Sequence, residues 1–291
     1  MRHAVLIFSG LMLVSVCAPM GAQTLTKRYM KLADSADFYM KREQWREAER
    51  VIVTALRHEP ANPSNWLLWS NLGVVRTHTD DYNGALEAYN VGLASAPKST
   101  VLLSNRAWTQ LSFGHRDEAL KDIDATLALD SLQAWPLKMR GLLRLSHPDS
   151  AERDLLKADE LSPRDPTVLA GLGDICAARG NLDKALDYYA KSLDIEPDED
   201  VTFKQLLILT EHGDFRQAQD KTIAALAKWP KNPNLHIVRA MQHRKNYQQD
   251  AELKEKNLAL AYGADPLLVD RLLGQKSSKN YKNLTDRVSK F

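Results

Sequence analysis

The sequence predicts an all-α chain built as a helical repeat solenoid. Three observations predict it. Near-identical phrases recur one hundred residues apart with the same internal spacings. No stretch shows sustained period-two alternation, so essentially no sheet is expected. Leu, Ala, Lys and Glu dominate between the recurring positions, and prolines close most phrases, which suits helices with defined ends.

The first element in order is an export segment. Residues 1–23 open with Arg2, continue with the uncharged apolar run Ala4 to Val16, and end with small residues at Gly21 and Ala22. This is the three-part layout of a secretory signal peptide, with cleavage expected after Ala22 or Gln23. The apolar run is shorter than the ~20 residues that span a bilayer, and Pro19 follows it. An uncleaved anchor is one alternative. Lipid attachment at Cys17 is a second, and it is disfavoured because Val16 stands where Gly or Ala normally precedes the cysteine. The expected address is the periplasm or envelope of a bacterium, with full secretion as the further option. Removal of residues 1–23 leaves Cys176 as the one cysteine, so no intramolecular disulfide or cysteine-based zinc site can form.

The body, residues 24–265, is read as one repeat array. Trp69, Leu72, Gly73, Ala85, Tyr89 and Pro97 match Leu169, Leu172, Gly173, Ala185, Tyr189 and Pro197. The offsets from the first large residue are 3, 4, 16, 20 and 28 in both sets. Units fall at 29–62, 66–99, 100–133, 134–165, 166–199, 200–232 and 233–265. The first carries Tyr39, Ala48, Ile52, Ala55 and Pro60. The third carries Leu103, Ala107, Gly114, Ala119 and Ile123, with Ser131 where proline is usual. The fourth has Gly141, Ala151, Leu155, Ala158 and Pro163 around a turn shortened by two residues. The sixth is one residue short, with Phe203, Gly213, Phe215, Ala218, Ala225 and Pro230. The seventh retains Ala240, Tyr247 and Ala251. Small residues such as Gly73, Ala107, Gly141 and Gly173 allow close helix approach, and Tyr89, Ile123, Leu155 and Tyr189 fill the gaps. One such pair cannot bury its apolar face alone, so stacking must supply the core.

These phrases resemble the tetratricopeptide repeat family, whose unit is about 34 residues of helix–turn–helix. The resemblance covers most of residues 29–265 and implies a right-handed superhelical solenoid of about seven repeats. It also implies a non-enzymatic scaffold that binds an extended peptide or a partner helix in a concave groove lined by the first helix of each unit. Carried over position by position, the second unit presents Leu67, Ser70, Asn71, Val74, Thr77 and His78. The third presents Val101, Ser104, Asn105, Trp108, Leu111 and Ser112. The fourth presents Trp135, Lys138, Met139, Leu142 and Leu145, and the fifth small groups such as Ala170, Gly171 and Ala177 with Asp174. The candidate binding set is Asn71, Val74, Asn105, Trp108, Leu111, Trp135, Lys138, Met139 and Leu142. In it the asparagines would bond a ligand backbone, Lys138 would meet a carboxylate, and the tryptophans would bury area with few torsions. The competing role for Trp108 and Trp135 is packing against neighbouring helices or the chain's own ends. Asn71 and Asn105 match the asparagine of the carboxylate clamp found in some family members. Ala33, Asp37, Val74 and Val101 do not match its other positions, so a chaperone-tail receptor is not expected.

Residues 266–291 read as a C-terminal cap. Pro266 to Gly274 is a short amphipathic helix closed by glycine. Tyr281, Leu284, Val288 and Phe291 then fall at helical spacing between Lys282, Arg287 and Lys290, a basic amphipathic segment. Either it caps the array, or residues 279–291 contact a membrane surface or partner. The second option supports a different function: a structural or assembly subunit held to the envelope by its tail or convex face.

Composition sets the remaining limits. Lys+Arg 39 against Asp+Glu 37 gives a formal charge of +2, without the basic excess of a nucleic-acid binder. Hydrophobic residues at 44% argue against long disorder. Loss of Arg2 lowers the charge to +1. Residues 271–291 hold six basic groups and one acid, so they carry +5 and the body −4. No nucleophile elbow or phosphate loop occurs, and Gly171 and Gly173 are explained by the repeat. His236 and His243 lie seven apart without a partner ligand at metal spacing. No catalytic residue, metal or cofactor is therefore expected.

Overall fold

The computed structural model describes residues 27–274, so the export segment 1–23 and the basic stretch 279–291 lie outside the described residues. Among the described residues there are fifteen helices and no strand. The chain divides into two compact units, whose described parts are 27–131 and 132–274. The division falls in the connector holding Ser131, which replaces the usual closing proline.

The first unit holds α1 (Lys27–Lys41), α2 (Trp45–His58), α3 (Asn65–His78), α4 (Tyr82–Ser95), α5 (Thr100–Ser112) and α6 (Arg116–Leu129). The second holds α7 (Ala134–Leu143), α8 (Pro148–Leu161), α9 (Pro166–Ala178), α10 (Leu182–Ile195), α11 (Glu199–His212), α12 (Phe215–Lys228), α13 (Pro233–Lys245), α14 (Gln249–Ala261) and α15 (Pro266–Leu273). Each odd-numbered helix up to α13 packs on the even one after it. First helices of neighbouring pairs also touch directly: α3 with α5, α7 with α9, α11 with α13, and α13 with α15.

Helix starts follow from capping chemistry. Side chains of Asp81, Ser99, Asp165, Asp198, Asp214, Asn232 and Asp265 accept hydrogen bonds from backbone N–H groups two or three residues on. These donors would otherwise be unsatisfied at a helix N-terminus. Proline opens α8, α9, α13 and α15, where its missing N–H costs nothing.

Turns within the pairs share one geometry. Glu43, Asp80, Gly114, Gly180 and Tyr247 all have positive φ and all stand two residues before the second helix. Each is flanked by the two hydrogen bonds of a Schellman cap, such as Asp80 N–H to Thr77 C=O and Asp81 N–H to Arg76 C=O. The fourth and sixth pairs lack this residue: in the fourth the first helix, not the turn, is short, with α7 only 10 residues long, and in the sixth Gly213 has φ −104.

Packing inside the pairs rests on small residues facing large ones. A Cβ on Gly73 would stand 2.4 Å from the Tyr89 ring, and one on Gly173 would stand 2.5 Å from Tyr189. Both tyrosines are fully buried. In the third pair the facing residue is Ile123, which is smaller, and Ala107 is accommodated with both fully buried. The third and fourth pairs add a polar contact. Arg106 and Arg140 occupy the place held by Leu72 in the second pair, and each grips one buried aspartate with two nitrogens. The distances are 2.7 and 2.6 Å to Asp122, and 2.7 and 2.8 Å to Asp154.

Candidate functional site

In the first unit, the direct contact of α3 with α5 brings five of the expected residues onto one face. Asn71 and Val74 come from α3; Asn105, Trp108 and Leu111 come from α5. All five are half-buried, which fits side chains that flank a surface rather than fill a core. Their neighbours set the chemistry. Asn105 donates from Nδ2 to Ser70 Oγ at 3.0 Å, which ties the two helices and aims the amide. Behind the face, Thr77 Oγ1 donates to Gly73 C=O, and Thr109 bridges Thr77 and the Tyr89 hydroxyl at 2.8 and 3.2 Å. Burial pushes the Tyr89 hydroxyl up to about 12, so it stays neutral and hydrogen-bonded.

The face also carries an aromatic cluster. His78, at the end of α3, stacks on Trp45 with ring centroids 4.1 Å apart and planes 4° apart. His78 also meets Trp108 at 5.7 Å and 37°. Burial holds the imidazole below its ordinary pKa, against the opposing pull of the Glu43 carboxylate, so the ring is held toward its neutral form. Two buried polar atoms on this face, His78 Nε2 and Ser104 Oγ, have no hydrogen-bond partner among the described residues. A third such atom, Gln110 Oε1, is also on α5. A buried polar atom left unpaired costs about 1–3 kcal/mol. These atoms are closed off from the surface, so they are an internal cost of the cluster and not contacts open to a ligand.

In the second unit the expected residues are more occupied by internal contacts. Trp135, Lys138, Met139 and Leu142 all lie on α7 and are half-buried. Lys138 was expected to meet a ligand carboxylate, but the fold supplies one. Its Nζ lies 2.7 Å from Asp165 Oδ2. Burial alone would raise the Asp165 carboxyl. The Lys138 hydrogen bond and charge, with the N–H groups of Val168 and Thr167, outweigh burial and lower it. Leu142 packs over Gly171, where a Cβ would come within 2.8 Å of its Cδ2.

A concavity of about 310 Å³ lies at the far end of this unit, between α11, α13, α15 and the turn at Gly263. Sequence reasoning did not identify it, because its walls come from three helices widely separated in the chain. It also did not identify Trp45, which opens a second helix and so stands outside the groove positions that the resemblance supplies. The Arg106–Asp122 and Arg140–Asp154 pairs were missed for a different reason: charged residues there replace the apolar repeat pattern.

The remaining sequence candidates take structural places. Cys176 is 6% exposed, and burial raises its thiol above the ordinary value, which disfavours the reactive thiolate. His236 faces Glu255 Oε2 at 2.6 Å and Pro230 C=O at 3.0 Å, and His243 faces Gln248. Among the described residues, no three His, Cys, Asp or Glu side chains are placed to hold a metal ion. No described helix is long and apolar enough to cross a membrane.

Comparison with known proteins agrees with this geometry. A tetratricopeptide repeat profile matches residues 34–100 and 138–200. The chain is 22% identical over 174 residues to tetratricopeptide repeat protein 6 of Homo sapiens, covering 59% of this chain and 33% of that protein. It thus spans about a third of the length of this curated relative. A tetratricopeptide repeat protein from Parabacteroides merdae has a similar crystal structure, with TM-score 0.60 and 22% identity over 86% of this chain and 98% of that one. YrrB, described as a tetratricopeptide repeat protein with an unusual peptide-binding site, is similar at TM-score 0.52 and 16% identity, over 65% and 98% of the two chains. Identities this low speak for the fold alone. With the profile matching in both units and the helices paired as the repeat requires, the chain carries tetratricopeptide repeats in both units.

Proposed function

We propose that this protein binds an extended peptide segment of a partner on the face formed by α3 and α5. Tetratricopeptide repeats are protein–protein interaction scaffolds, and the matched repeats support that role for this chain. The observation that carries this is the half-buried aromatic cluster of Trp45, His78 and Trp108, with the half-buried amides of Asn71 and Asn105 on α3 and α5. Aromatic area beside amide side chains is the chemistry that recognises an apolar side chain together with its backbone. Asn71 and Leu111 extend the surface, and the peptide-binding site named for YrrB supports the same use of this fold. Trp135 and Met139 offer a smaller accessory surface on α7.

The test is selection from a phage-displayed library of random peptides on the protein lacking residues 1–23. Enriched peptides should lose at least tenfold in affinity with Trp108→Ala, the scale of a hot-spot residue, and much less with Lys138→Ala. Absence of enrichment, or affinity indifferent to Trp108→Ala, contradicts the reading. Export is part of the same proposal and rests on residues 1–23. Expression of the full chain in a bacterium should yield a periplasmic or envelope form beginning at Gln23 or Thr24 by mass spectrometry. A protein that retains Arg2 contradicts it.

A further inference from the structure

We propose that residues 275–291 dock back into the cleft between α11, α13 and α15, so that the chain's own tail occupies that end of the second unit. The cleft has an apolar floor and an acidic rim. Phe203, Leu207, Leu268 and Leu272 supply the floor, and Asp200 and Asp265 stand in the lining. The one cation in the lining, Lys204, is already neutralised: its Nζ bonds both oxygens of Asp174 at 2.9 and 2.7 Å. Asp200 makes no ion pair among the described residues, and Asp265 spends one oxygen on the Leu267 N–H. The site therefore presents apolar area under uncompensated negative charge, and it fits a segment with large apolar side chains and flanking cations.

The tail has that composition. Tyr281, Leu284, Val288 and Phe291 recur at helical spacing, and residues 275–291 hold five basic groups against the single acid Asp286. The chain also delivers it to the right place. Leu272 lines the cleft, and the tail begins two residues after α15 ends. The eight residues of α15 are about 12 Å long at 1.5 Å per residue. The six residues 275–280 span up to about 20 Å when extended, enough to return along α15. A tether this short gives an effective concentration in the millimolar range, which favours the tail over a free partner of equal chemistry. The inference does not depend on the peptide-binding reading of the first unit.

The test uses the full chain after signal removal, with Tyr281→p-benzoylphenylalanine as a photo-crosslinker. Irradiation at low protein concentration should give products within one chain that map to α11, α13 or α15. Asp200→Lys should lower their yield at least threefold, with the circular dichroism of the repeat helices unchanged. Lys279→Glu with Lys282→Glu should do the same, and the combination with Asp200→Lys should recover the yield. Products joining two chains would assign the tail to a second copy. Crosslinks only to added anionic phospholipid vesicles would assign it to a membrane surface. Either result, or products mapping elsewhere in the chain, overturns the proposal.

Discussion

Tyr247 shows how a single backbone angle sets a local energy. It stands at φ 58 in the turn between α13 and α14 with 94% of its surface exposed, so its side chain gains little in return for the left-handed conformation. That conformation costs a non-glycine residue about 1–2 kcal/mol, offset partly by the greater entropy of glycine in the unfolded chain. Tyr247→Gly should therefore raise stability by about 0.5–1 kcal/mol, read as a higher urea midpoint. At the equivalent place the third and fifth pairs already use Gly114 and Gly180. His78 gives the second prediction at this scale. Its folded pKa is depressed below the unfolded 6.5, mainly by burial. Its contribution to stability is complete above the unfolded value and is lost as pH falls toward and through the folded one. Urea unfolding at pH 7 and pH 5 should show a loss on acidification that is smaller in His78→Phe. An equal loss in both proteins would assign the acid sensitivity to other groups, such as His212, which burial also depresses.

Between helices, the energetics turn on which residue types face each other. Gly73 with Tyr89 and Gly173 with Tyr189 were legible in the sequence, because their spacing recurs and the contact is steric. The aspartate pairings were not legible, since Arg106 and Asp122 lie 16 residues apart with no local signal linking them. Side-chain relative exposure is 22% for Arg106 and 8% for Asp122, so the pair is mostly out of water. Removing one partner strands a buried charge, whereas replacing both with apolar groups is often neutral. Asp122→Ala should cost about 3–5 kcal/mol. Arg106→Leu with Asp122→Ala reproduces the Leu72 and Ala88 pairing of the second pair and should recover most of that loss. Thermal melts of the three proteins check this. A double variant as unstable as the single one would mean that the ion pair itself, rather than relief of a stranded charge, stabilises the third pair.

For the molecule as a whole, the helical repeat class was readable because repetition multiplies a weak local pattern into a strong one. The candidate binding face was readable only in outline. Family positions supplied Asn71, Asn105 and Trp108, but only the folded chain showed that Trp45 stacks on His78 and that Asp165 already holds Lys138. These facts shift the weight of the site onto the first unit. The near-neutral charge of the sequence averages a basic C-terminal stretch with an acidic body, and only the folded chain showed Asp200 and Asp265 together in the lining of the α11–α15 cleft. The six tryptophans, Trp45, Trp66, Trp69, Trp108, Trp135 and Trp229, each give one indole N–H signal in a nitrogen-15 NMR spectrum, which locates a bound peptide on the molecule. Titration with a library-selected peptide should shift the Trp108 signal most, Trp45 next, and leave Trp229 in place. Shifts centred on Trp229, or an unmoved Trp108 signal at saturation, would contradict binding on the α3–α5 face.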